Sequence, residues 1–258
     1  MKLGIISDIH EDAERLTIAL KALEKYNCDR LICLGDISGY DERFYSYRYS
    51  RNLDYCIDLI KVNCRDIMPG NHDLFHLKKL PDYNTIFHFP ENWYELTFEL
   101  RKSMSKGLIW LYEKDYPIKN IELFESVMSD LKDKIIMESN NLRIFFTHSI
   151  APDISGFLTK KPVKIKDFAT HFEMIKQNHC NIGISGHLHP NGLLKISEKK
   201  NHNPRFGELE ISNEMPLQFI VPCIADGIQD NGYTILDTKN RTIESIPLRT
   251  PKHHSIFL

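Results

Sequence analysis

Five times along this chain an apolar, strand-like run ends in residues able to ligate a metal ion. Leu3-Gly4-Ile5-Ile6 precedes Asp8-Ile9-His10, and Arg30-Leu31-Ile32-Cys33-Leu34 precedes Gly35-Asp36-Ile37-Ser38-Gly39. Ile67-Met68-Pro69 precedes Gly70-Asn71-His72-Asp73, Leu142-Arg143-Ile144-Phe145-Phe146-Thr147 precedes His148, and Ile182-Gly183-Ile184-Ser185 precedes Gly186-His187-Leu188-His189. Side chains placed just past the ends of parallel strands project from the sheet edge into a common cleft. The arrangement therefore points to an α/β fold with its chemistry at one edge.

Helix-period segments between the runs support that reading. Leu16, Ala19, Leu20 and Leu23 fall at helical spacing after the first run, and Leu53, Cys56, Ile57 and Ile60 do so after the second. Strand, helix, strand units of this kind imply a parallel sheet with right-handed crossovers. Residues 75–133 read as a helical insertion, with Phe98, Met104, Leu108, Leu111, Leu123, Val127 and Leu131 at helix-like intervals broken by Pro81, Pro90 and Pro117. Lys134–Met137 and Leu142–Phe146 form a strand pair around Asn140-Asn141, and a helix is expected near 167–178. Leu217–Ile220, Tyr233–Leu236 and Thr242–Glu244 supply further strands, with Asn231-Gly232 read as a turn. No repeat, linker or low-complexity tract divides the chain, so one domain spanning 1–258 is expected.

Composition narrows the function classes. The 42% hydrophobic content is ample for a continuous core, which excludes a disordered protein. Lys and Arg total 33 against 35 Asp and Glu, and a net charge of −2 gives no global attraction to nucleic acid or anionic membrane. Nothing resembles a membrane span, and the chain enters a strand directly at Lys2 without a secretory leader, so a cytoplasmic protein is expected. Cys28, Cys33, Cys56, Cys64, Cys180 and Cys223 form no C-x-x-C pair and read as reduced core thiols.

Carboxylate, imidazole and amide ligands together suit manganese, iron, zinc or nickel better than calcium or magnesium. Singly, each cluster arises often by chance. In this order, the five resemble the signature of the calcineurin-like metallophosphoesterase superfamily: D-x-H, G-D-x-x-G, G-N-H-D/E, a lone H, and G-H-x-H. The resemblance covers residues 1–74 and about 142–236, looks most like the small bacterial phosphoesterase-type members, and departs from the protein serine/threonine phosphatases at Gly39 and Tyr40.

The resemblance implies two mixed sheets packed as a sandwich between helices, with the insertion capping the cleft. It implies two divalent ions, manganese first, with Asp8, His10 and His189 on one, Asn71, His148 and His187 on the other, and Asp36 bridging them roughly 4 Å apart. A bridging hydroxide would attack phosphorus while His72 protonates or stabilises the leaving group. Asp73 is expected either to orient a loop or His72, or to be a solvated helix-start residue. The implied activity is hydrolysis of a phosphomonoester or phosphodiester, with a small phosphoester or nucleotide as substrate.

Two other readings stand beside it: an inactive scaffold on the same fold, and a nuclease, against which the charge balance argues. In Tyr40–Arg51, aromatic residues interleave with Arg43, Arg48 and Arg51. This segment either stacks a base and pairs with phosphate or packs its rings inward with the arginines in water. His76, His88, His171, His179, His202, His253 and His254 belong to no cluster, and structural roles are expected for them.

Overall fold

The alternation inside the first strand sets the architecture. In β1 (Lys2–Ile6), Leu3 and Ile5 enter a buried cluster with Met68, Ile144, Phe146, Ile184 and Phe219, while Ile6 points the other way into a cluster with Leu16, Leu20, Ile57 and Ile60. Successive strand side chains face opposite sides. A strand apolar on both sides must therefore be covered twice, by a second sheet and by helices.

The computed structural model describes residues 1–128 and 131–252. Besides β1, one sheet contains β2 (Arg30–Cys33), β3 (Asp66–Ile67), β8 (Gly207–Glu210), β10 (Gly232–Asp237) and β11 (Thr242–Pro247), in the order β3-β2-β1-β10-β11-β8. β1, β2 and β3 are parallel, and the others add antiparallel. The second sheet contains β4 (Lys134–Ser139), β5 (Leu142–Thr147), β6 (Ile182–Ser185), β7 (Leu194–Ser197) and β9 (Leu217–Ile220), in the order β4-β5-β6-β9-β7, with β5, β6 and β9 parallel. These are the expected two mixed sheets.

Helices α1 (Ala13–Leu23) and α2 (Leu53–Asn63) cover the first sheet. Each starts on a side-chain cap: Asp12 accepts the Arg15 N–H and Asn52 accepts the Tyr55 N–H. Helix α3 (Asn71–His76) follows β3, and the second sheet is covered by α6 (Ala169–Gln177) through Phe172 and Ile175.

Within 75–133 the helices are short. Beyond the end of α3, α4 (Phe98–Ser105) and α5 (Ile121–Met128) account for the helices among the described residues, with one 3-10 turn at Trp93–Glu95, and irregular backbone occupies the regions around the prolines. Trp93, Ile109 and Tyr112 form a small core with Leu74 and Phe157, whereas Phe124 and Met128 join the main cluster beneath α1 and α2.

The Asn231-Gly232 turn is corrected. Gly232 opens β10, Asn231 is buried with its amide donating to the Ile224 carbonyl, and the chain reverses instead between Asp237 and Thr242. β7 and β8 were not anticipated.

Candidate metal centre

The carboxyl ends of β1, β2, β3, β5 and β6 meet at one edge, and backbone hydrogen bonds lock their loops together. The Asp8 N–H donates to the Gly35 carbonyl at 2.9 Å, the Ile9 and His10 N–H groups donate to the Asp36 carbonyl, and the Gly186 N–H donates to the His148 carbonyl. These bonds bring Asp8, His10, Asp36, Asn71, His148, His187 and His189 to a single centre.

Ring orientation follows from carbonyl acceptors. His10 Nδ1 donates to the Gly39 carbonyl at 3.1 Å and His148 Nδ1 donates to the Leu34 carbonyl at 2.7 Å, which turns both Nε2 lone pairs inward. His148 Nε2 lies 3.2 Å from Asp36 Oδ2 and 3.1 Å from Asn71 Oδ1. His189 Nε2 lies 3.1 Å from Asp8 Oδ1 and 3.4 Å from His10 Nε2. Donor atoms of Asp8, His10 and His189 fall within 4.8 Å of one another, as do those of Asp36, His148 and His187. Asp36 also closes a group with His10 and His72, so its carboxylate stands between the two ligand sets.

This geometry is costly for the backbone. Asp8, His10, Asp36, His187 and His189 all have positive φ, between 46° and 63°. Such conformations cost on the order of 1–3 kcal/mol each and persist where the surroundings over-determine them. Gly156 makes the same point from the opposite wall: its φ is +90°, and a Cβ there would sit 2.6 Å from Asn71 Oδ1 and 2.7 Å from His187 Nδ1.

Charge at the centre is unbalanced. Asp8 and Asp36 are buried, and their ion-pair partners are histidines. Burial pushes both carboxyls up, but the neighbouring imidazoles outweigh it and hold both well below the usual carboxylate range. Burial lowers His148, yet Asp36, with Asp8 and the Leu34 carbonyl, outweighs it and raises the ring to about 10. His10 goes the other way, to about 3, because burial outweighs Asp36. The carboxylates thus draw a proton onto an inward-facing Nε2. A divalent cation meets the same demand while using the lone pairs as ligands, so the donor set fits metal ions.

His72 lies beside this centre with its N–H donating to Asp36 Oδ1 at 3.0 Å. Its ring contacts Asp115, Nδ1 to Oδ2 at 2.5 Å. Burial disfavours a charged His72, but the Asp115 and Asp36 carboxylates together outweigh it and raise the imidazole to about 9. Asp115 belongs to the insertion, follows no motif and has no counterpart in the sequence reading. Asp73 is buried and accepts N–H groups from Ile37, Ser38 and Gly70 and the Ser38 hydroxyl. It ties the Asp36 loop to α3 and does not touch His72 through any of these bonds.

In 40–51, Tyr40, Tyr45 and Tyr47 are buried against Ala225, which is the inward-packing alternative. Arg43 and Arg48 stay exposed at the surface while pairing with Asp41 and Glu42, and Arg51 alone is drawn in, paired with buried Glu11. Phe44 remains 43% exposed and lines a cavity of about 370 Å³ over the centre, together with Trp110 and His72. His171 is buried and hydrogen-bonded, His88 and His179 are exposed, and His253 and His254 lie outside the described residues. The six cysteines are free, and no helix among the described residues is long and apolar enough to cross a membrane.

Known proteins agree with this architecture. The chain is 24% identical to the uncharacterized protein MJ0912 of Methanocaldococcus jannaschii over 95% of its own length and 86% of the relative's. Its fold is similar to that of a metallophosphoesterase from Sphaerobacter thermophilus (18% identity, TM-score 0.63, covering 96% and 87% of the two chains). It is also similar to the hypothetical protein PH1004 from Pyrococcus horikoshii OT3 (14% identity, TM-score 0.58, covering 97% and 89%). The family model for calcineurin-like phosphoesterase matches residues 1–191, which contain all five strand-end motifs and the whole candidate centre, and the chain belongs to that family.

Proposed function

We propose that this chain is a two-metal phosphoesterase acting on small phosphoesters. The observation that carries the reading is the Asp36 carboxylate, set between the Asp8, His10, His189 group and the His148, His187 group with Asn71 alongside. Asp8, His10 and His189 would hold one ion and Asn71, His148 and His187 the other, with Asp36 shared. When bound, two such ions supply an activated water and neutralise charge on the phosphate oxygens. Manganese is the first choice, since mixed oxygen and nitrogen donors suit it.

The protein's own residues do the rest. His72 faces the same cavity and supplies the proton that the leaving oxygen needs, with Asp115 keeping its ring in place. Residues 75–133 are part of the single domain and act as its cap, since Trp110 lines the cavity and Asp115 holds His72. The six free thiols favour a reducing compartment such as the cytoplasm. The test is to strip the protein with chelator, reload it with manganese and follow 4-nitrophenyl phosphate and bis(4-nitrophenyl) phosphate. The reading requires about two ions per chain and metal-dependent release of nitrophenolate from at least one ester. Metal-loaded protein inert toward both would overturn it.

A further inference from the structure

Two cavities, not one, open at the centre. The first, about 370 Å³, is lined by His72, Phe44, Tyr45, Trp110, Leu188 and Ile228 among others. The second, about 400 Å³, is lined by Lys160, Lys161 and Lys166 with Ile86 and Pro162. They share Gly156, Leu158, Lys161 and His187, so they adjoin along the wall that carries His187.

The walls differ in kind. Phe44 and Trp110 lie with ring centroids 6.3 Å apart, and the Arg43 guanidinium sits over both, 5.5 and 5.8 Å from their centroids. The rings are tilted 41° to each other, and because Arg43 is itself held by Asp41 they form a fixed aromatic wall rather than two loose rings. In the second cavity Lys160, Lys161 and Lys166 are exposed and make no ion pair among the described residues. Two carboxylates line it too, but Asp153 accepts the Gly156 and Leu158 N–H groups and Asp167 accepts those of Val163 and Lys164. Both Asp153 oxygens are engaged by backbone, whereas Asp167 is held through Oδ2 alone and its charge faces Lys160 and Lys166; three lysines against two carboxylates leave net positive charge for a ligand. Lys161 stands close enough to the centre for its charge to act on His187.

A phosphomonoester has one substituent and needs one cavity. From the phosphoesterase reading we infer that the substrate is a disubstituted phosphate, with a planar ring on the substituent that leaves and a second negative charge on the one that stays. The ring arm is the leaving side because His72 lines it and not the other. Water adds to phosphorus, the bond to the ring-bearing oxygen breaks, and that oxygen takes a proton. The phosphate stays on the substituent in the lysine arm, as a monoester with its second charge intact.

Two chromogenic esters test this: thymidine 5′-(4-nitrophenyl phosphate), and the same ester with a 3′-phosphate. Their products, thymidine 5′-monophosphate and thymidine 3′,5′-bisphosphate, serve for calorimetry on the manganese-loaded protein. Each exposed ion pair adds up to ~1 kcal/mol, so the 3′-phosphate should lower KM and product Kd about fivefold at low salt. The gain should shrink as salt rises. In a Lys160→Ala, Lys161→Ala, Lys166→Ala variant both ratios should fall to about one. Trp110→Ala should raise KM for both esters and leave the product ratio alone. Equal KM and equal product affinity in the wild type, or a ratio that survives the lysine substitutions, overturns the inference. Failure on both diesters by protein that hydrolyses 4-nitrophenyl phosphate also overturns it, whereas failure on all of these esters overturns the phosphoesterase reading instead, and the product ratio still decides whether the lysine arm binds a second charge.

Discussion

His72 and Asp115 meet across 43 residues of chain, with the ring nitrogen 2.5 Å from a carboxylate whose side chain has no exposed surface. Tyr112 packs edge-on against the same ring at 5.0 Å. Asp115 does not reach the ligand groups; it acts through the imidazole, fixing which nitrogen faces the cleft. The insertion thereby contributes to the chemistry without supplying a metal ligand.

Asp115→Asn should leave two metals bound and slow hydrolysis of an alkyl ester by about tenfold to a hundredfold, the range for losing a group that orients another. The 4-nitrophenyl ester should lose less, because nitrophenolate leaves without a proton. Parallel kinetics on the two esters with a metal assay decide the matter. Equal losses, or a fall in metal content, would show that Asp115 supports the fold and not the proton donor.

Asp36→Asn weakens the group shared by both ligand sets. Turnover should fall on the order of a hundredfold or more under saturating manganese. Metal content should fall with it. Activity within about threefold of wild type would falsify the shared-carboxylate assignment.

The ligands were legible because each stands within a few residues of a strand end, where register alone fixes direction. Asp115 was not, because it lies on irregular backbone between Pro90 and Pro117 and reaches His72 only through the tertiary packing of Tyr112. Asn231-Gly232 carries a turn signature, but Gly232 is required as a strand residue: a Cβ there would fall 2.4 Å from the Ile246 carbonyl oxygen. β7 and β8 are four residues each with charged side chains in their middle, too short and polar for periodicity to reveal. The helical spacing in 75–133 was real only where Phe98–Ser105 and Ile121–Met128 escape the prolines.

His171 gives a pH dependence separate from the centre. Its Nδ1 accepts the Ala151 N–H and its Nε2 donates to the Gln218 side-chain oxygen, which fixes a neutral ring. Burial lowers it to about 4, against the hydrogen bond to Gln218. A histidine depressed in the folded state contributes stability that is full above ~6.5 and is lost as pH falls toward the folded value. Between pH 7 and pH 5 the loss should be about 2 kcal/mol. Urea unfolding of wild type and His171→Gln at both pH values measures it. The variant should show a smaller difference, and identical pH slopes would remove His171 as the cause.

The last prediction separates the parts of the insertion. Phe124 is fully buried and, with Met128, shares a cluster with Leu53, Cys56, Ile57 and Ile60 of α2. Truncating a buried phenylalanine costs ~3–5 kcal/mol, a large share of the 5–15 kcal/mol typical of a folded domain. Phe124→Ala should therefore lower Tm by roughly 6–20 °C. Replacing 80–130 by a flexible linker also strips Trp93, Ile109 and Tyr112 from Leu74 and Phe157, so that variant should be insoluble or unfolded. α4 differs: Ser105 is its only buried residue, and Leu100 and Met104 are exposed. Replacing 97–106 alone should give a folded protein with wild-type metal content. Circular dichroism melting of the three variants orders them. A soluble 80–130 replacement melting near wild type would show that α5 covers the main core without stabilising it, whereas an unfolded 97–106 replacement would give α4 a structural part that its exposure does not suggest.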